Sequence, residues 1–320
     1  MTPRLCVGTA GLSVWFSDDL GESWDRPYSE SGLYLEARVW ALSWHPSDPN
    51  TVFAGTDSGV YRWDGAAKTW NHLPSPMDAL SIWSLEQAPH DGDLMLAGTQ
   101  PAALYRSRDR GLSWEKLPAA FPDECMFVHK PRVTQILFDP LEKDTVWAGV
   151  EIGGVWRSTD GGDSWSPRND GLISEDIHGL AVVGRGGRKL FATTNKGLHV
   201  STDDGATWRQ QVLDSPWQYT RAILPANGAV FLANGNGPPG STGRLLRSAD
   251  DGESWRDVGL PGALNSTPWC IATNPADRDL MFVLTNLGQM FRSTDGGATW
   301  TKLDREFGEV RAALWHPVAA

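Results

Sequence analysis

An eight-residue phrase, S-x-D-x-G-x-[S/T]-W, recurs along the chain and constrains its fold more than any other feature. It stands at residues 17–24, 107–114, 158–165, 201–208, 248–255 and 293–300. A worn seventh copy closes on Thr69 and Trp70, with Trp63 and Gly65 in place of the serine and aspartate. The closing tryptophans Trp24, Trp70, Trp114, Trp165, Trp208, Trp255 and Trp300 are 46, 44, 51, 43, 47 and 45 residues apart. A period near ~45 residues filled with short strands is the signature of propeller blades.

Each copy follows one strand and precedes another, so it occupies a hairpin turn. The aspartate can accept hydrogen bonds from turn amides. The glycine supplies backbone freedom where a side chain would clash. The serine or threonine hydroxyl can bond neighbouring backbone groups. The tryptophan offers a large apolar body and one N–H, suited to packing between blades. Seven similar turns cannot all be one active site, so Asp160, Asp203, Asp250 and Asp295 read as scaffold. Residues 160–163 also lack the ligand spacing and closing glutamate of an EF-hand calcium loop.

The phrase is the Asp-box motif, and by it the chain resembles the sialidase-like BNR-repeat propellers over its whole length. The resemblance implies an all-β fold, a seven-bladed β-propeller of four-stranded antiparallel blades. That scaffold hosts hydrolases, lyases, receptors and assembly factors, so it speaks to fold more than to activity.

The second unit shows the layout. Residues 38–44 alternate as a first strand, 51–56 form a second, 60–63 a third, and the box leads to a fourth near 70–73. The C-terminal residues 310–317 match a first strand and its His-Pro turn, while residues 5–9 and 13–17 supply strands two and three. The two ends together therefore predict one blade, which closes the ring and removes two exposed sheet edges. The expectation is a single β-propeller domain over residues 1–320, with long loops at 117–132 and 234–243. The first of these holds Phe121, Glu124, Cys125, Phe127, His129 and Lys130.

The net charge is −11, with no basic run, which disfavours nucleic acid as a partner. No apolar run approaches a membrane span, and the first residues read as a strand and not as a secretory leader. Cys6, Cys125 and Cys270 are unpatterned and read as reduced thiols used mainly in packing. A cytoplasmic monomer is the expectation; a mature secreted protein that has shed its leader is the alternative.

In a propeller the first strands line the central channel. Loops entering them share one face with the loops joining strands two and three, opposite the Asp boxes. Both long loops fall on that face, where binding is expected. Near the start of the first strands stand Trp40, Trp83, Thr134, His178, Arg221, Trp269 and Arg311. Two residues earlier are Arg38, Ser81, Arg132, Asp176, Tyr219, Thr267 and Glu309, and the adjoining loops add Asp57 and Glu151. Arg38, Arg132, Arg221 and Arg311 are candidates to fork onto carboxylate or phosphate. Trp40, Trp83 and Trp269 offer flat faces for sugar rings. A small anionic or sugar-like ligand is therefore expected at the channel mouth.

Sialidases hold their substrate carboxylate with an arginine triad and use a Tyr-Glu pair plus an aspartate. The resemblance thus implies that the four arginines could supply a triad, Tyr219 and Glu151 the pair, and Asp57 the acid. His178 joins them as a candidate proton carrier. The sequence lacks the six blades and Arg-Ile-Pro segment of sialidases, and the second propeller of the bacterial xyloglucan hydrolases. Hydrolysis or elimination on the ligand is one reading; a non-catalytic binding or assembly module is the other. No cofactor is expected. His129, His178 and Glu151 are a weak candidate metal set, with no local ligand spacing to demand it.

Overall fold

The computed structural model describes residues 2–125 and 129–318, so Phe127 lies outside the described residues. Seven antiparallel sheets follow one another around a ring. Blade II comprises Val39–Ser43, Thr51–Thr56, Gly59–Asp64 and Thr69–Leu73. Blades III to VII begin with Ser81–Ala88, Arg132–Phe138, Ile177–Val183, Tyr219–Ala226 and Pro268–Asn274. Apart from the N-terminal-strand blade, each sheet runs in simple order from inner strand to outer strand.

Blade I is built from both ends of the chain. Val310–Val318 pairs with Thr2–Thr9, placing Leu5 opposite Trp315 and Cys6 opposite Leu314. Val14–Ser17 adds the third strand. The fourth is reduced to one bridge between Phe16 and Asp25.

Burial follows from the position of each strand in its blade. The second strands lie between neighbouring sheets, and Val146–Glu151 is buried at every residue. The first strands alternate: Val39, Ala41 and Ser43 are buried between blades, whereas Trp40 and Leu42 face the channel and are half-buried. Period-two patterning is what a strand with one dry and one wet side requires. The core is accordingly a series of inter-blade clusters, such as Phe53, Ile82, Leu85, Met95 and Trp114 between blades II and III.

The boxes all fold alike. In the last one, Ser293 Oγ bonds Asp295 Oδ1 at 2.8 Å and accepts the Gly297 amide at 2.9 Å. The same aspartate accepts the Thr299 amide at 2.9 Å and the Thr299 hydroxyl at 2.5 Å. Box turns also bond the turns between strands one and two: Gly296 N to Asp279 O at 3.0 Å, and Gly161 N to Asp144 O at 2.8 Å. These contacts put both sets of turns on one face. In the worn copy, Asp64 takes over and accepts the amides of Ala66 and Ala67 at 2.9 Å each. The carboxylate has moved one residue towards the N-terminus, and the amide-capping survives.

Two predictions arise from these turns. Gly252 has φ of 85°, and a Cβ there would lie 2.5 Å from the Phe191 ring of the preceding blade. Gly252→Ala should therefore cost about 1–3 kcal/mol through strain alone, with the blade contact adding to it, as read by urea denaturation. Hydrogen bonds from the box hydroxyls, then from the amides, hold Asp19, Asp160, Asp203 and Asp295 down to about 2. Their folded values lie below the unfolded value of about 3.9, so the stabilisation is complete above that pH and is lost as pH falls towards about 2. The melting temperature should drop steeply across that window, and replacing several box aspartates by asparagine should flatten the drop.

Candidate ligand site at the channel mouth

The upper residues of the first strands converge on the ring axis. Trp40, Trp83, Thr134, His178, Arg221, Trp269 and Arg311 line one cavity of about 290 Å³. The strands are held together by hydroxyl-to-carbonyl bonds between blades. Ser84 Oγ donates to Val133 O at 2.9 Å, and Thr134 Oγ1 to Ile177 O at 2.6 Å.

Arginine and indole alternate around the mouth. Trp40 and Trp83 stack with ring centres 4.3 Å apart. Arg132 lies 3.9 Å over Trp83, and Arg221 lies 3.8 Å over Trp269. Arg311 sits among three indoles, 5.3 Å from Trp40 and Trp269 and 5.7 Å from Trp83. The negative faces of the rings keep these cations close together.

Carboxylates balance part of the charge. Arg132 forks onto buried Glu151, with Nε to Oε2 at 2.6 Å. Arg311 pairs with Glu309. Among the described residues no carboxylate pairs with Arg221. Burial, then the charges of Arg221 and Arg132, pull the Arg311 guanidinium down to about 10. Burial and like charge both act against the charged form of a guanidinium.

Four polar atoms at this mouth are buried without a hydrogen-bond partner among the described residues: Arg311 Nε, Tyr219 Oη, Trp40 Nε1 and Asp176 Oδ1. Leaving such a group unsatisfied costs about 1–3 kcal/mol. Burial pushes the Tyr219 phenol up, against the pull of nearby Arg221. Tyr219 therefore keeps its proton.

His178 is buried and its ring centre lies 5.0 Å from that of Tyr219. Its Nδ1 sits 2.7 Å from Thr220 O, and its Nε2 sits 3.3 Å from Asp176 Oδ1. A carbonyl oxygen only accepts, so Nδ1 donates to Thr220 O, and Nε2 faces the Asp176 carboxylate. Burial pushes the Asp176 carboxyl up, but the His178 hydrogen bond and the charges of His178, Arg221 and Arg132 outweigh it and leave the group below the usual carboxylate range. His178 is thus hydrogen-bonded through Nδ1, with Nε2 3.3 Å from the Asp176 carboxylate.

Arg132, Arg221, Arg311, Trp40, Trp83, Trp269, Glu151, Tyr219 and His178 form one connected group. Arg38 and Asp57 do not join it. They are exposed on the rim of blade II, where the Asp57 amide donates to Arg38 O at 3.2 Å. His129 is exposed in a hairpin with Cys125, at a positive φ of 62°. Among the described residues no His, Cys, Asp and Glu cluster can hold a metal ion, so His129, His178 and Glu151 do not form a ligand set.

Sequence reasoning placed Asp176 and Glu309 in the right tier without giving them a role. They are the acids that orient His178 and Arg311. Gln100, in the loop tier beside Asp57 and Glu151, also reaches the mouth: its Oε1 accepts the Trp83 indole N–H at 3.1 Å while its Nε2 donates to Lys130 O at 3.0 Å. That residue ties the 117–132 loop to the mouth. Cys6, Cys125 and Cys270 are free thiols; Cys6 and Cys270 are buried.

The model of the BNR/Asp-box repeat matches residues 291–302. The xyloglucanase Xgh74A of Acetivibrio thermocellus is 27% identical over an alignment taking in 82% of this chain and 38% of that protein. The chain thus spans well under half the length of the curated relatives it matches. The GH74 xyloglucanase of Xanthomonas campestris superposes with a TM-score of 0.63 at 21% identity, covering 83% of this chain and 45% of that one. YCF48 from Cyanidioschyzon merolae superposes with a TM-score of 0.58 at 14% identity, covering 85% and 86%. Repeat, ring topology and superposition agree: the chain is a seven-bladed β-propeller of BNR/Asp-box repeats.

Proposed function

We propose that the protein acts on carbohydrate and that its channel mouth holds a sugar bearing a carboxylate. The observation that carries this reading is the convergence of Arg221 and Arg311 with three indoles around one cavity, with Arg132 laid on the outer indole Trp83. Guanidinium forks match carboxylates in geometry and charge. Indole faces suit the apolar C–H faces of a sugar ring. An anion here would relieve the mutual repulsion of the arginines and give Arg311 Nε an acceptor. The xyloglucanase relatives support glycoside hydrolysis as the reaction class.

Glycoside hydrolysis uses a proton donor and a carboxylate close to the scissile bond. In this reading Tyr219, kept protonated by burial, exchanges a proton with the ligand. Glu151, its partner in the pair, lies close enough for its charge to act on the phenol. Asp176 supplies a further carboxylate that stays ionised, and His178 positions it. Arg38 and Asp57 on the rim meet only a ligand that extends out of the cavity.

One observation favours a second reading, a non-catalytic binding module. Both oxygens of Glu151 and Nδ1 of His178 are already bonded within the protein, which leaves few groups free to move protons.

The test is a panel of oligosaccharides ending in a uronic acid, each matched with its neutral counterpart. Binding is followed by calorimetry and cleavage by release of reducing ends. The acidic sugars should bind and the neutral ones should not. Arg221→Ala and Arg311→Ala should each lose about tenfold affinity or more, as the removal of a charge-assisted hydrogen bond does. Tyr219→Phe should keep binding and abolish cleavage. Binding without cleavage of any member would favour the second reading, and equal binding of acidic and neutral sugars would rule out the carboxylate assignment.

A further inference from the structure

Below the arginine tier the channel changes character. Glu86 lies on the same strand as Trp83, three residues further along, about 10 Å at ~3.3 Å per residue. It lines the lower end of the upper cavity and also a second, larger one. That basin opens on the Asp-box face and measures about 1000 Å³. Its wall is mainly apolar, with Leu42, Trp44, Leu224, Ile271, Leu314 and Trp315 on four different blades. A volume of this size accommodates a small organic molecule.

Glu86 is half-buried and faces the channel, where it lines both cavities. It has no hydrogen bond or ion pair among the described residues. His45 is the other titratable group lining the basin; its Nδ1 is bonded to Ser47 and its Nε2 is buried without a partner. The upper cavity adds His178, Cys270, Arg221 and Arg311. An unpaired carboxylate at the throat of an apolar basin is a costly arrangement unless something meets it.

We propose that the basin is a second binding site, for a small apolar ammonium compound whose charged head meets Glu86 and whose hydrocarbon body packs on the basin wall. The chemistry is complementary to that of the upper mouth, where cations await an anion. Burial alone pushes the Glu86 carboxyl up to about 8. The free group therefore holds its proton at neutral pH, and a bound cation expels it. Affinity should rise as pH climbs towards about 8, and binding near pH 7 should release a proton.

The experiment uses phenethylammonium and its neutral counterpart 2-phenylethanol. Calorimetry in buffers of different ionisation heat reads affinity and proton release together. The ammonium should bind with release of about one proton near pH 7, and the alcohol at least about tenfold more weakly. Glu86→Gln should lose about tenfold affinity for the ammonium and abolish the proton release. Thr273→Trp narrows the basin from its wall without touching Glu86, and should weaken both probes. Equal affinity for ammonium and alcohol, or unchanged ammonium binding in Glu86→Gln or Thr273→Trp, would overturn the assignment.

Discussion

Pairing between Val310–Val318 and Thr2–Thr9 is the contact on which the ring depends. Without it, Thr2–Thr9 and the last strand would each present a row of unpaired amides and carbonyls to solvent. Trp315 and Leu5 also belong to the same cluster as Phe282, Leu284 and Met290, so the seam is apolar as well as hydrogen-bonded. Closure brings Arg311, which sits on the last strand, between Trp40 of the first complete blade and Trp269 of the last. The strand pairing that completes the fold thereby also completes the candidate site.

The two faces of the disc carry different kinds of turn. On one face the boxes use hydroxyl and carboxylate groups to satisfy their own backbone, and bond the neighbouring turns. This leaves the aspartates engaged and low in pKa, which suits scaffold and not chemistry. On the other face the chain enters the first strands through longer loops, and polar side chains are free to point at the axis. The channel between them passes from arginine and indole to a lone glutamate and an aliphatic basin.

Around the mouth, ion pairs and indole faces act against the same difficulty. Three guanidinium groups meet around the mouth, and burial followed by the charges of Arg221 and Arg132 lowers the pKa of Arg311. Glu151 and Glu309 neutralise two of them, and Trp83 and Trp269 lie under Arg132 and Arg221. The remaining imbalance, with the unpartnered Arg311 Nε, is what an anionic ligand would satisfy.

The blade count, the order of strands and the tail-to-head closure were legible in the sequence, because each box closes a local hairpin and the spacing of Trp24 to Trp300 counts them. The tier of residues facing the axis was legible for the same reason: repeats in register place equivalent residues at equivalent depths. Which members of that tier touch was decided only in three dimensions. Arg38 and Arg132 occupy equivalent positions in their repeats, yet one stays on the rim and the other is clamped by Glu151 and laid on Trp83. Gln100 and Asp176 act on Trp83 and His178 of their own blades, whereas Glu86 acquires its role from the closed wall of the channel. A repeat pattern encodes hydrogen bonds within each blade, whereas contacts across the axis depend on how all seven blades come together, and no single repeat contains that information.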